Sequence, residues 1–263
     1  MHRRGLTAME TARRDSELTQ RYCVDDLGVF SAAERARFLT PGAAEQRIDR
    51  PLAFELLYRL EPGLYERLVA AERIHPAVLE WLPRADRVVE VGAGAGRLTT
   101  HLVSRCAHLV AVEPAGPMRE RLRAALAPQA LEKVDIVDGF FDALPVPDGC
   151  ADLVVTCSAL ERDNAHGGDI GLAEMERVCA LGGMMVVVWP NHLDWLAANG
   201  FTHLRFPGRM WMEFRDTAEA IEMMEIFHPH AVAEVRARGE TRVQYDILGV
   251  NPPRDLAFKV KQR

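Results

Sequence analysis

The stretch Val88-Val89-Glu90-Val91-Gly92-Ala93-Gly94-Ala95-Gly96-Arg97-Leu98-Thr99 sets three glycines at alternate positions directly behind an apolar run. Glycine is required where a backbone bends sharply or comes too close to a ligand for a Cβ. With Ala93 and Ala95 between the glycines, the whole turn stays small. Apolar strand, glycine-rich turn and a helix pattern carrying Leu98 and Leu102 follow the order of a nucleotide-binding loop. A pyrophosphate-binding G-x-G-x-x-G read from Gly92 needs glycine at 97, where the chain has Arg97, and an acid, Glu90, stands two residues before the first glycine. Both features disfavour a pyrophosphate. Proton transfer has two candidates on loops, His166 in Glu161-Arg162-Asp163-Asn164-Ala165-His166 and His192 after the apolar run ending at Trp189. Imidazole titrates near neutrality, yet either histidine serves as readily in packing or at the surface. Asp163, Asn164, His166 and Asp169 offer metal donors, but their spacing matches no metal motif and a polar loop capping the next helix explains them, so no metal is assigned. Cys157 has no evident partner to activate it and reads as a wall residue.

These residues need elements to position them. From Arg87 onward, apolar runs at Val88–Val91, Leu109–Val112, Val134–Val137, Leu153–Thr156 and Met184–Trp189 alternate with helix-spaced segments. Near-continuous apolar strands between helices predict a parallel sheet covered on both faces, with its ligand at the carboxyl ends of the strands. Gly182-Gly183 reads as the C-cap of the helix carrying Met175, Val178 and Cys179. Residues 16–85 read as short helices forming a helical cap: Ser31 to Glu34 is a capping box, Leu52, Leu56, Leu57 and Leu60 make a stripe, and Pro62 and Pro76 stand near helix starts. The core then runs over 86–263 with a helical insertion at about 192–240, whose Trp195, Trp211 and Met212 suit an acceptor wall or a dimer contact. Arg242–Leu248 and Asp255–Val260 read as two strands joined by the turn Asn251-Pro252-Pro253.

A formal charge of -6 argues against a nucleic-acid surface, and five cysteines without C-x-x-C read as reduced thiols of a cytoplasmic protein. No apolar run approaches membrane-spanning length. Residues 1–15 carry arginines but no apolar segment, and are expected to be a mobile tail rather than a signal peptide or anchor.

Glu90, Gly92, Gly94 and Gly96, read as E-x-G-x-G-x-G, resemble motif I of the class I S-adenosylmethionine-dependent methyltransferases. That cofactor has a sulfonium, an α-amino group and no phosphate, so an acid beside the loop suits it. The resemblance covers about residues 86–191 through motifs and 241–261 through pattern. It implies an α/β fold with a doubly wound, mostly parallel seven-stranded sheet (Rossmann-like methyltransferase fold), completed by an antiparallel hairpin and preceded by the helical cap. It also implies S-adenosylmethionine as cofactor and S-adenosylhomocysteine as product. Gly92, Ala93, Gly94 and Gly96 would form the loop that holds the amino-acid end, with Arg97 at the carboxylate or in a surface ion pair. Glu113, 21 positions beyond Gly92, would accept from the ribose hydroxyls, with Pro114 and Met118 beside it. Phe140, Phe141 and Asp142 would meet adenine; the family often has Asp where this chain has Phe140, and both phenylalanines fit plain core as well. Cys157 and Ser158 resemble the positions facing the methionine portion and the acceptor. Asn251-Pro252-Pro253-Arg254 is only superficially similar to the N-P-P-Y motif of amino-group methyltransferases, which follows strand four.

The function implied is methyl transfer to a small-molecule substrate, at oxygen in preference to nitrogen or carbon, as in secondary metabolism, with His166 or His192 as base. Expected partners are that substrate and a second copy in a homodimer, with no nucleic acid and no membrane. A protein methyltransferase and a non-catalytic cofactor-binding partner protein are the alternatives.

Overall fold

The computed structural model describes residues 17–39 and 47–262; the tail expected over 1–15 lies outside them. The chain divides into two compact units, one of residues 74–208 with 252–263 and the other of residues up to 73 with 209–251.

The first unit holds seven strands: β1 (Ala85–Val91), β2 (Cys106–Val112), β3 (Val134–Val137), β4 (Ala151–Cys157), β5 (Cys179–Val188), β6 (Thr202–Arg205) and β9 (Asp255–Val260). Their order is β3-β2-β1-β4-β5-β9-β6. Pairs β1–β2, β1–β4, β2–β3 and β4–β5 are parallel; β9 runs antiparallel to both β5 and β6. This is the expected doubly wound α/β sheet, and strand order reverses between β1 and β4, where such sheets open a crevice at their carboxyl edge. Strands buried on both faces need unbroken apolar runs, and alternate residues supply two cores. Val88, Leu109, Leu153, Val155, Val186 and Val188 pack on one face with Leu98, Leu102 and Leu122. Val89, Val91, Val154, Met185 and Val187 pack on the other with Leu172, Met175 and Val178.

Three expectations need correction here. Helix Pro76–Trp81, expected with the cap, belongs to the sheet unit, because Val78 and Leu82 are in the core beside Val88. Gly182-Gly183 is no helix cap: helix Gly168–Val178 ends at Cys179, and the glycines lie inside β5, where pairing jumps from Ala151↔Cys179 to Leu153↔Met184. An unpaired excess of residues in one strand is a bulge, and Gly182 takes the left-handed backbone (φ 78°) that such a bulge demands. The antiparallel partner of β9 at the sheet edge is Thr202–Arg205, not Arg242–Leu248. Arg242–Gln244 instead forms β8 and pairs with β7 (Trp211–Glu213), while Tyr245–Leu248 is a helical turn.

The second unit is otherwise helical. Helix Arg50–Leu60 opens where Asp49 Oδ1 accepts the N–H of Leu52 (3.0 Å), buries Leu52, Leu56 and Leu57, and gives way before Pro62, which opens the next helix. The Ser31–Glu34 capping box forms as its spacing predicts. Helix Thr217–Phe227 packs here too, with Arg67 donating to both Glu219 (3.0 Å) and Glu222. Among the described residues no helix is long and apolar enough to cross a membrane.

Candidate active site

The loop after β1 is held by its own backbone. Gly92 and Ala93 N–H both donate to Val112 O of β2 (2.9 and 3.1 Å), and Gly96 N–H closes back on Ala93 O (3.0 Å). Gly92, Gly94 and Gly96 all have positive φ (71°, 56° and 97°), which a Cβ disfavours. Space is short as well: a Cβ on Gly92 would lie 2.6 Å from Ala159 Cβ, and one on Gly96 would lie 2.6 Å from Leu122 Cδ1. Gly92 and Gly96 are therefore a conformational and a steric requirement at once.

Two acids flank this loop in different surroundings. Glu113, at the end of β2 and only 6% exposed, accepts from Gly94 N–H with Oε2 (2.9 Å) and from Ala115 N–H with Oε1 (2.8 Å). Arg119 fixes the segment from behind by donating to Glu113 O (2.7 Å) and Pro114 O (2.8 Å) and pairing with Asp138 beyond β3 (3.2 Å). Glu90 is 1% exposed, and Thr99 Oγ1 donates to its Oε2 (2.6 Å). Burial pushes its carboxyl up to about 8, against the opposing pull of the Thr99 hydrogen bond. Glu90 thus ties β1 to the first turn of the following helix, a contact that its motif position does not announce.

At the ends of β4 and β5 the backbone is strained. Ser158 (φ 54°) and Trp189 (φ 52°) occupy the left-handed region, which costs non-glycine residues about 1–3 kcal/mol and tends to mark ligand sites. They are the non-glycine residues found there among those described. Ser158 N–H donates to Val188 O (3.0 Å) and Trp189 N–H to Asp255 O (2.9 Å), so the two strands finish level and turn together. Arg97 reaches this edge from the glycine loop: its guanidinium stacks over the Trp189 ring (5.3 Å) and approaches Cys157 Sγ (3.5 Å).

The other expected residues divide. Met118 is 1% exposed in the core. Phe141 is buried among core residues and closely faces Gly167 and Gly171, filling space beside Gly92. Phe140 and Asp142 are half-buried in the segment after β3, where Phe140 bridges to Ala143. His166 lies in the loop after β4; Asp163 Oδ1 receives its backbone N–H (3.0 Å) and stands 2.9 Å from its Nδ1. His192 follows β5, with Nε2 2.6 Å from Glu161 Oε2, and Asn191 Nδ2 reaches Glu161 Oε1 (2.6 Å). Asp169 takes the Trp195 indole N–H (2.8 Å), so the acids of this loop have structural partners. Arg119, Glu161 and Trp189 went unread in the sequence. Glu161 carried a signal, an acid five residues beyond an expected strand end, whereas nothing local announces the φ of Trp189.

Comparison with known proteins places this arrangement. A family model described as a methyltransferase domain matches residues 89–187. An uncharacterised methyltransferase of Mycobacterium tuberculosis is 35% identical over 145 residues, 52% of this chain and 55% of that protein. The chain therefore spans about half the length of that relative. Ribosomal RNA small subunit methyltransferase A of Bifidobacterium longum is 28% identical over 214 residues, 78% of this chain and 66% of that one. Among solved structures, a chain of the complex between the Haloferax volcanii Trm112 methyltransferase activator and a putative methyltransferase superposes with a TM-score of 0.50 at 14% identity, over 80% of this chain and 98% of that chain. At that identity the likeness concerns fold alone. Family match, sheet order and glycine loop agree in one respect: residues 89–187 of the α/β unit are similar to a methyltransferase domain.

Proposed function

We propose that the protein transfers a methyl group from S-adenosylmethionine to an oxygen of a small-molecule acceptor. The carrying observation is the Gly92–Gly96 loop hydrogen-bonded to the buried carboxylate of Glu113, with strained Ser158 and Trp189 at the neighbouring strand ends. The donor set fits the cofactor. Backbone groups of the loop suit the amino-acid end, Glu113 suits the ribose hydroxyls, and Arg97 beside Cys157 suits a carboxylate. Once bound, the cofactor supplies a methyl group already activated on a cationic sulfur. What remains for the protein is to align the acceptor, exclude water and accept a proton where the acceptor is a hydroxyl. A histidine on the loops after β5 and β4, His192 or His166, is where such a base is sought.

An RNA acceptor is the second reading, favoured by the ribosomal RNA methyltransferase relative and opposed by the net charge of -6. Incubation of the protein with methyl-labelled S-adenosylmethionine and an extract of the producing cells separates them. Label in the small-molecule fraction supports the proposal; label only in RNA or protein, or nowhere, overturns it. Calorimetry adds an independent check. Glu113→Ala removes up to two charge-assisted hydrogen bonds of about 1.5–3 kcal/mol each, so S-adenosylhomocysteine affinity is expected to fall about 100-fold; unchanged affinity removes the ribose assignment.

A further inference from the structure

We propose that Glu161 is a positioning residue that makes His192, and not His166, the base of this reaction, and that the acceptor is accordingly a hydroxyl compound that must lose a proton. The inference rests on the small-molecule oxygen reading above and adds which group accepts the proton and what holds it. Glu161 stands four residues beyond the end of β4, in a loop pinned by its own backbone: Glu161 N–H donates to His166 O (3.1 Å), and Glu161 O accepts from Gly168 N–H (3.0 Å). Its carboxylate then reaches the loop after β5. Oε1 takes the amide of Asn191 and Oε2 meets Nε2 of His192, each at 2.6 Å. One acid from the β4 edge thus holds two consecutive residues of the β5 edge.

Such a bond decides the chemistry of the ring. In neutral imidazole one nitrogen is donor and the other acceptor. With Nε2–H directed at Glu161, the lone pair falls on Nδ1, and the carboxylate stabilises the imidazolium that forms when Nδ1 takes a proton. Asp194 follows two residues on in the chain, and Asp169 is tied to Trp195 (2.8 Å), whose indole stands edge-on to His192 at 6.4 Å. The side chains of His192 and Glu161 are 40% and 29% exposed, so an acceptor has access to the pair. His166 is held differently. Asp163, three residues before it, accepts its backbone N–H and meets its Nδ1 with the same oxygen, which is the geometry of a capped turn.

The proton balance follows from these atoms. The acceptor oxygen gives its proton to Nδ1 of His192 and an electron pair to the methyl carbon, while the carbon–sulfur pair stays with sulfur. A methyl ether, a neutral thioether and an imidazolium paired with Glu161 result.

The test compares Glu161→Gln, Glu161→Asp, His192→Gln and His166→Gln in the full chain, each first checked for S-adenosylhomocysteine affinity by calorimetry. In wild-type protein labelled with 15N-histidine, the His192 ring nitrogens are expected to report the Nε2–H tautomer, and Glu161→Gln is expected to lose that preference. Label transfer into the small-molecule fraction of cell extract is expected to drop about 100-fold in Glu161→Gln and His192→Gln, within the range of a lost general base. Cofactor affinity should stay within about twofold, His166→Gln should keep near wild-type transfer, and Glu161→Asp should recover part of the loss. If Glu161→Gln does not fold, His192→Gln and the wild-type tautomer decide the matter. Full transfer in His192→Gln, or an Nδ1–H tautomer in wild-type protein, overturns the assignment and leaves the function standing. Failure of wild-type protein to bind cofactor or label small molecules overturns the function itself.

Discussion

Glu90 and Glu113 lie at the ends of neighbouring parallel strands and are both nearly removed from water, yet their surroundings differ. Glu113 accepts two backbone N–H groups, while Glu90 has the hydroxyl and backbone N–H of Thr99 to set against full burial. Its carboxyl, pushed up from the ordinary 4.5 to about 8, holds a proton in the folded protein over a range where the unfolded chain has released it. The sign follows from linkage: the folded state binds more protons between those two values, so the contribution of this group is full below pH 4.5 and is lost as pH rises toward 8. One such group contributes a slope of at most about 1.4 kcal/mol per pH unit. Urea unfolding of wild type and Glu90→Gln at several pH values isolates it. The stability of wild type minus that of the variant should fall as pH increases from 5 to 8; a difference independent of pH contradicts the protonated carboxyl.

At the scale of elements, the loop between β1 and its helix carries two constraints that most turns do not combine. Gly92 needs both a left-handed backbone (φ 71°) and the absence of a Cβ that would meet Ala159 at 2.6 Å; Gly96 needs the same against Leu122. Gly182, in the β5 bulge, has positive φ (78°) and nothing within 4 Å of where a Cβ would stand. Comparing the three alanine variants therefore separates backbone strain from crowding. Gly182→Ala is expected to lose about 1 kcal/mol or slightly more through strain alone and to keep cofactor affinity. Gly92→Ala and Gly96→Ala should each lose about 1–3 kcal/mol and, because the loop must shift, weaken S-adenosylhomocysteine binding at least tenfold. Chemical denaturation and calorimetry read both quantities. Equal cofactor affinity in all three variants would show that the loop does not meet the ligand.

At the scale of the whole molecule, the chain builds its helical unit from two distant segments, residues up to 73 and residues 209–251. Within it Arg59 is a buried centre. Its guanidinium pairs with Glu55 and Glu34, each at 2.6 Å, and lies over the rings of Phe30 (5.0 Å) and Phe38 (5.5 Å). Such a cluster gives little net stability when intact, but loss of Arg59 removes the ion pair of the buried Glu55 carboxylate, at a cost of about 3–5 kcal/mol. Arg59→Ala is accordingly expected to lower the denaturation midpoint and to raise hydrogen exchange in both segments of this unit. Exchange unchanged in residues 209–251 would argue against their folding as one unit with the N-terminal helices.

Much of the sheet could be read from the chain alone, because the forces that shape it act over short distances. A strand covered on both faces has to be apolar almost throughout, so Val88–Val91, Leu109–Val112 and Val134–Val137 announced themselves. The positive φ of Gly92, Gly94 and Gly96 is a property of single residues, and Glu113 follows its strand by one position. Other features depended on residues far apart in sequence. Short edge strands have no pattern of their own, so only tertiary pairing could choose Thr202–Arg205 over Arg242–Leu248 as the neighbour of β9. The left-handed backbone of Ser158 and Trp189 is imposed where β4 and β5 finish side by side, and the hold of Glu161 on His192 spans 31 positions that only adjacent strand ends bring together. Local conformation and burial pattern thus determined the glycine loop and the strands around it, whereas side-chain pairing across neighbouring strand ends decided which carboxylate meets which imidazole.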